Sequence, residues 1–204
     1  MNLSIFSWVI YDIGNTLFNA GVTGLFFPLW IITKLNGTDA TVGYTLSIAL
    51  LVSLIISPIV GTLSDQTKNR KIFLGLFTLV CGLSTTFIGN NSLISSLIYY
   101  GVSVTCLHVG DIFYNSMLKD VSNKNNIGII GGIGAGVGYI GAIIAILIGL
   151  LIIEDQGYPI GFTIIGLLII FFGVPILIFL KEKPQQIQNR YLTTSESLIK
   201  RFIN

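Results

Sequence analysis

Two sets of polar residues interrupt otherwise apolar stretches of this 204-residue sequence. Asp12, Asn15 and Asn19 follow one another at i, i+3 and i+7, and His108, Asp111 and Asn115 repeat that spacing further along. Residues at these intervals share one face of a helix. Each set is therefore a polar stripe, with Thr23 a turn beyond the first and Tyr114 beside the second. Inside a membrane each ionisable group costs about 2.5–3.5 kcal/mol on insertion scales, so such a stripe is expected to face water or a solute. A carboxylate or an imidazole in low dielectric can load and release a proton near neutral pH, and asparagine amides can hydrogen-bond a polar solute. The plainer reading is that Asp111 pairs with His108 across less than one turn while the asparagines hold helices together.

The surroundings set these stripes in a membrane. Hydrophobic residues make up 52% of the chain and charged residues 10%, where a soluble domain carries about 25% charged. Mean hydropathy is +0.84. So little charge cannot cover a water-facing surface. Six apolar runs, at about 6–33, 41–63, 72–89, 93–117, 127–153 and 159–180, approach or exceed the roughly 20 residues that a hydrocarbon core about 30 Å thick demands. Unpaired backbone polar groups are costly in lipid, and none of the runs alternates as a barrel strand would, so the spans must be helices. The expected class is an all-α membrane protein with six transmembrane helices: residues 1–180 form the bundle and 181–204 a cytoplasmic linker or tail. Disordered, collagenous, coiled-coil and disulfide-framework classes are excluded, and Cys81 and Cys106 lie inside apolar runs as small hydrophobes. A net charge of +2 carries no nucleic-acid signal. No cofactor, metal site or catalytic constellation is expected.

Loop charge gives the orientation. The connections after the second and fourth runs, together with the tail, hold ten of the eleven Lys and Arg residues, leaving only Lys34 elsewhere. Basic residues stay on the cytoplasmic side, so both termini are expected there. The first run lacks a basic leader and is interrupted by Asp12 and Asn15, so it is expected to remain as a helix rather than be cleaved. It runs outward and the fourth run inward, which brings both stripes to the cytoplasmic half of the bilayer and suggests one shared cavity.

Glycine patterns need separating from nucleotide motifs. Gly136, Gly138 and Gly141 read as G-x-G-x-x-G, yet they lie inside 27 residues without a charge and without a strand-turn-helix unit. Gly134, Gly138 and Gly141 instead form a flat helix face for close packing. Tyr11-Asp12 and Gly110-Asp111 resemble the paired motifs of presenilin-like intramembrane aspartyl proteases. His108 replaces the first glycine of the second motif, however, and that family's Pro-Ala-Leu signature is absent.

The second connection runs from Gly61 to Lys71. It resembles the loop motif G-x-L-a-D-r-x-G-r-[RK] of the major facilitator superfamily, keeping Gly61, Leu63, Asp65 and Arg70, with Lys71 adding charge and Gln66, Lys68 and Asn69 departing from the pattern. Three further stretches, Trp8 to Phe18, Tyr114 to Asp120 and Gly134 to Gly141, resemble the first, fourth and fifth helix signatures of its vacuole-effluxer-like branch. That branch includes the autophagy-related amino-acid effluxers. The resemblance covers about residues 6–184.

What it implies is a 3+3 inverted-repeat half of a major facilitator fold, its first and fourth helices lining the path. Asp12, Asn15, Asn19, His108, Asp111 and Asn115 would then face a small solute, with amino acids the cargo suggested and protons a candidate coupling ion. Gly61, Asp65, Arg70 and Lys71 would serve an inner gate. The implied partners are the lipid bilayer and a second six-helix half, as a separate chain or a parallel homodimer, because superfamily members normally have twelve spans. The competing expectation is a non-transporting remnant or assembly subunit, and a tail with Leu192, Leu198, Ile199, Phe202 and Ile203 suits a membrane-surface segment.

Overall fold

The computed structural model describes residues 2–67, 69–90 and 92–182, with residues 65–67 as backbone only. The surface segment expected in the tail lies outside the described residues. Among them every regular element is helical, in six successive rods: α1 (Leu3–Lys34), α2 (Asp39–Thr67), α3 (Arg70–Thr86), α4 (Leu93–Val121), α5 (Ile127–Gln156) and α6 (Tyr158–Phe179). All but α3 are long and apolar enough to cross a membrane. The rod α3 has 17 residues, about 26 Å at 1.5 Å per residue. It ends before the expected residue 89 because its last turn tightens, Phe87 and Ile88 donating to Ser84 and Thr85 three residues back. At its other end the loop is short, since α2 continues through Thr67 and takes Gly61 into the helix.

Two features were not foreseen. Within α1 the turns from Phe18 to Phe26 widen to π-helix, and α5 does the same from Gly149 to Ile153. The two wide stretches meet: a side chain at Gly21 would lie 3.1 Å from the Ala145 methyl, and one at Gly149 3.1 Å from the Phe26 ring.

Helices in lipid gain little from hydrophobicity alone and associate through close backbone approach and interhelical hydrogen bonds. Here α1 packs on α5 and α6, α3 on α4 and α6, and α2 on α4. Along the α1/α5 seam, Gly134 sits under the Trp8 ring, Gly138 under the Asp12 carboxylate and Thr16, and Gly141 against the backbone of Ile13 and Leu17. The α3/α6 seam uses the same device at residues seven apart: Gly82 faces Gly166, Gly173 faces Thr78, and Gly75 faces Leu177.

The buried apolar residues form two clusters rather than one. The first holds Leu17, Phe18, Phe27, Tyr100, Leu107 and Ile169 with their neighbours, and the second Trp8, Tyr11, Phe113, Tyr114, Met117 and Ile176 with theirs. On α1 the division falls between Tyr11 and Leu17, on α4 between Leu107 and Val109, and on α6 between Ile169 and Ile176. That is the level of the polar stripes.

A methyl at Gly141 would collide with the Ile13 carbonyl and the Leu17 amide, backbone atoms that cannot swing aside. Gly141→Ala is therefore expected to destabilise the detergent-purified chain by about 1–3 kcal/mol. Gly136→Ala, where nothing lies within 4 Å, is expected to leave the melting midpoint unchanged or raise it slightly, alanine being the better helix former. Equal melting of the two variants would refute the close α1/α5 seam.

Candidate functional site

Contacts between α1 and α4 climb one helix as they descend the other, so the two run antiparallel. At one end the Phe27 and Tyr100 rings stack with centroids 3.7 Å apart, and the Trp30 indole donates to Ser96 Oγ at 3.4 Å. At the other, Trp8 stacks on Tyr114 at 4.6 Å and donates to its carbonyl at 3.0 Å, with Tyr11 on Tyr114 at 4.8 Å. Tyr11 is held in turn by Thr78 of α3, their hydroxyls 3.0 Å apart. Between these aromatic contacts lies the polar level.

There Asn15 Nδ2 donates to Asp111 Oδ1 at 2.7 Å, joining α1 to α4. An ionised carboxylate accepts only, which matches the amide nitrogen turned toward it, and Asn15 Oδ1 is buried without a partner. His108 Nδ1 stands 4.0 Å from Asp111 Oδ2, too far for a hydrogen bond. Asp111 is thus held across helices by Asn15 more closely than along its own helix by His108. Asn19 donates back to the Asn15 carbonyl at 3.1 Å. Asp12, one turn nearer the chain start, faces the Tyr114 hydroxyl and the glycine at 138.

Of the six residues expected on a path, Asn15 and Asp111 meet directly, with His108 4.0 Å from Asp111. Asp12 lies one turn away, and Asn19 and Asn115 are exposed at the margins. The His108 and Asp111 side chains are 38% and 23% exposed, so this level opens to one face of the unit. Beside Asn15 a small cavity reaches inward, lined by Tyr11, Thr78, Cys81, Cys106, Leu107 and Ile169, with room for about one water.

At the start of α3 the expected gating residues separate. Arg70 is buried and pairs with Asp120 at the end of α4 at 2.7 Å, the side chains 8% and 6% exposed, and its second nitrogen reaches Ser116 Oγ at 3.5 Å. The Lys71 amide donates to the Glu182 carboxylate just beyond α6, and its ammonium reaches the Leu177 carbonyl at 3.5 Å. Gly61 sits in α2 with open space beside it. Asp65 stands in the last turn of α2, and its side chain lies outside the described residues. Asp120 and Glu182 were not singled out as partners in the sequence. The available signal was a lone acid at each helix end facing the most basic loop.

The model of the family described as Major Facilitator Superfamily matches residues 14–201. An uncharacterized MFS-type transporter of Bacillus subtilis (strain 168), YxiO, is 31% identical over 157 residues, 72% of this chain and 37% of that protein. An uncharacterized protein of Aquifex aeolicus (strain VF5) is 29% identical over 184 residues, 88% of this chain and 46% of that protein. The chain spans less than half the length of these curated relatives. No solved structure matches it.

The Arg70–Asp120 pair can be tested directly. Removing one partner of a buried ion pair strands the other charge and costs about 3–5 kcal/mol, whereas an apolar replacement of both is close to neutral. Arg70→Met is expected to lower the melting midpoint sharply, and R70M/D120L to recover most of the loss. A double variant no more stable than Arg70→Met alone would contradict a buried pair.

Proposed function

The chain belongs to the major facilitator superfamily, a family of transporters rather than enzymes, and is an integral membrane protein; from this footing we propose that it works in secondary active transport of a small solute by alternating access, as the N-terminal half of a twelve-helix transporter. The observation that carries the proposal is the polar level shared by α1 and α4. It parts the buried apolar residues into two clusters, is bridged by Asn15 and Asp111 at 2.7 Å, and opens to one face. A solute would bind there, among Asp12, Asn15, Asn19, His108, Asp111 and Asn115.

Several finer features belong to the same proposal. The rod α3 serves as a sixth span, shorter than the rest, and residues 181–204 as a linker after the bundle of residues 1–180. Packing supports a 3+3 inverted repeat, because the α1/α5 contact has its counterpart in α4/α2, α1/α6 in α4/α3, and α3/α6 is its own. Both termini lie on the cytoplasmic side in this reading, which the distribution of loop charge supports. The inner gate centres on Arg70 and Lys71, with Asp65 at the end of α2 as the charge they meet in one state and leave in another, and the buried Arg70–Asp120 pair supports it by holding the start of α3 in place. A second six-helix half covers the open face. Amino acids are the cargo suggested by the vacuole-effluxer-like signatures, and protons the coupling ion suggested by Asp12, His108 and Asp111.

Co-expression with a polypeptide that supplies six further helices, followed by uptake assays in membrane vesicles, is expected to give solute accumulation that varies with pH. Replacing Asp12, His108 and Asp111 by Asn, Gln and Asn is expected to abolish that variation and reduce uptake by about tenfold or more, the value of one hydrogen bond to a charged group. An unchanged pH profile in the triple variant would remove proton coupling. No uptake of any amino acid, sugar or peptide would favour a non-transporting assembly subunit.

A further inference from the structure

The polar level has a chemical sign of its own, and a ligand class read from that sign rests on the transport reading only for the use of this face. Asp12 on α1 and Asp111 on α4 stand at this level, and among the described residues neither forms an ion pair with a lysine or an arginine. Arg70 is committed to Asp120, and Lys71 turns to the Leu177 carbonyl. His108, the third ionisable group here, adds positive charge only when protonated.

Around Asp111 the hydrogen-bonding capacity left over lies on the acceptor side, whereas the Tyr114 hydroxyl is a donor facing Asp12. Asp111 receives one N–H from Asn15, and its Oδ2 has only the His108 nitrogen 4.0 Å away. Having turned its amino group to Asp111, Asn15 keeps its Oδ1 atom buried without a partner. A carboxylate has about four lone-pair sites, and one amide donor fills a single site of Asp111. This level therefore calls for a ligand that donates hydrogen bonds and carries positive charge. An anion would meet two carboxylates in low dielectric and, among the described residues, no lysine or arginine at this level. A neutral solute can donate to these oxygens but brings no charge to offset an ionised carboxylate.

We propose that the solute is recognised here by a protonated amine that donates to Asp111 at Oδ2, the oxygen Asn15 leaves free, with the Asp12 carboxylate adding negative charge nearby. The cavity beside Asn15 holds about one water, so in this conformation the rest of the solute extends along the open face toward Asn19 and Asn115. For an amino acid this level seats the ammonium end and leaves the carboxylate to a basic group elsewhere. A quaternary ammonium ion, having charge without N–H, binds less well than a primary amine of similar size.

The test is thermal melting of the full chain purified in detergent, at constant ionic strength, with n-butylammonium, tetramethylammonium, 1-butanol and butyrate as probes. A ligand that binds only the folded state raises the midpoint in proportion to its occupancy. The expected result is a saturable rise with n-butylammonium, a smaller one with tetramethylammonium, and none with 1-butanol or butyrate. Asp111→Asn is expected to weaken the n-butylammonium response about tenfold or more, as loss of a hydrogen bond to a charged group does, and Asp111→Glu to retain most of it. Should Asp111→Asn not fold, Asp12→Asn and the probe ranking on the unaltered chain carry the test. No response to n-butylammonium, an equal response to butyrate, or an undiminished response in both D111N and D12N would overturn the proposal. Amine binding without uptake in any pairing would sink the transport reading and leave this one standing. Uptake of an anionic solute that n-butylammonium does not inhibit would do the reverse.

Discussion

The close approach of α1 to α5 is the constraint on which the rest of this structure depends. In lipid two apolar helices gain nothing from excluding water, so their backbones must come near enough for many weak contacts to add up. Gly134, Gly138 and Gly141 allow this by offering hydrogens where any other residue would offer a carbon atom. With α1 fixed against α5 by Ile13 and Leu17, its opposite face is turned toward α4, and Asn15 meets Asp111 there. Asp12 is caught between the two arrangements, because its carboxylate lies over Gly138 while it faces Tyr114. A shift of α5 along α1 would be felt directly by that carboxylate.

The charged groups divide by the same physics. Arg70 and Asp120 are both nearly inaccessible and 2.7 Å apart, and each would be too costly to bury alone. Asp111, in contrast, is held by a neutral amide and remains partly exposed. A fully paired buried charge acts as a fixed joint between helix ends. A partly paired carboxylate at an open face keeps valences free for something that comes and goes.

Much of this was legible in the sequence, and the reasons are specific. Long apolar runs mark helices because lipid leaves the backbone no other partner, and five of the six runs became helices long and apolar enough to cross a membrane. The spacing of Asp12, Asn15 and Asn19, and of His108, Asp111 and Asn115, needed only the helical period. What the sequence could not convey was set by contacts between helices. Periodicity suggested His108 as the partner of Asp111 because it saw one helix at a time, whereas Asn15 lies 96 positions away. The same blindness hid Asp120 from Arg70 and the α3/α6 glycines from one another, since seven-residue spacings on two helices mean nothing until the helices are paired. The widened turns of α1 and α5 are mutual, each fitting the other across Gly21, Ala145, Phe26 and Gly149, and neither segment betrays them alone.

How such a unit could expose its polar level to opposite sides depends on where it is tied. On one side of the Asn15–Asp111 contact, α1 and α4 are joined through Phe27, Trp30, Ser96 and Tyr100; on the other, through Trp8, Tyr11 and Tyr114, with Thr78 adding α3. Prising α1 from α4 at either end would break stacked aromatics and strand indole or hydroxyl groups in a dry interior, at about 1–3 kcal/mol for each unsatisfied group. The glycine seams bring α1 against α5 and α3 against α6 at close range. The helices of this chain are therefore better suited to turning together than to sliding past one another. On the transport reading, access to the polar level changes by rocking the whole unit against whatever covers its open face.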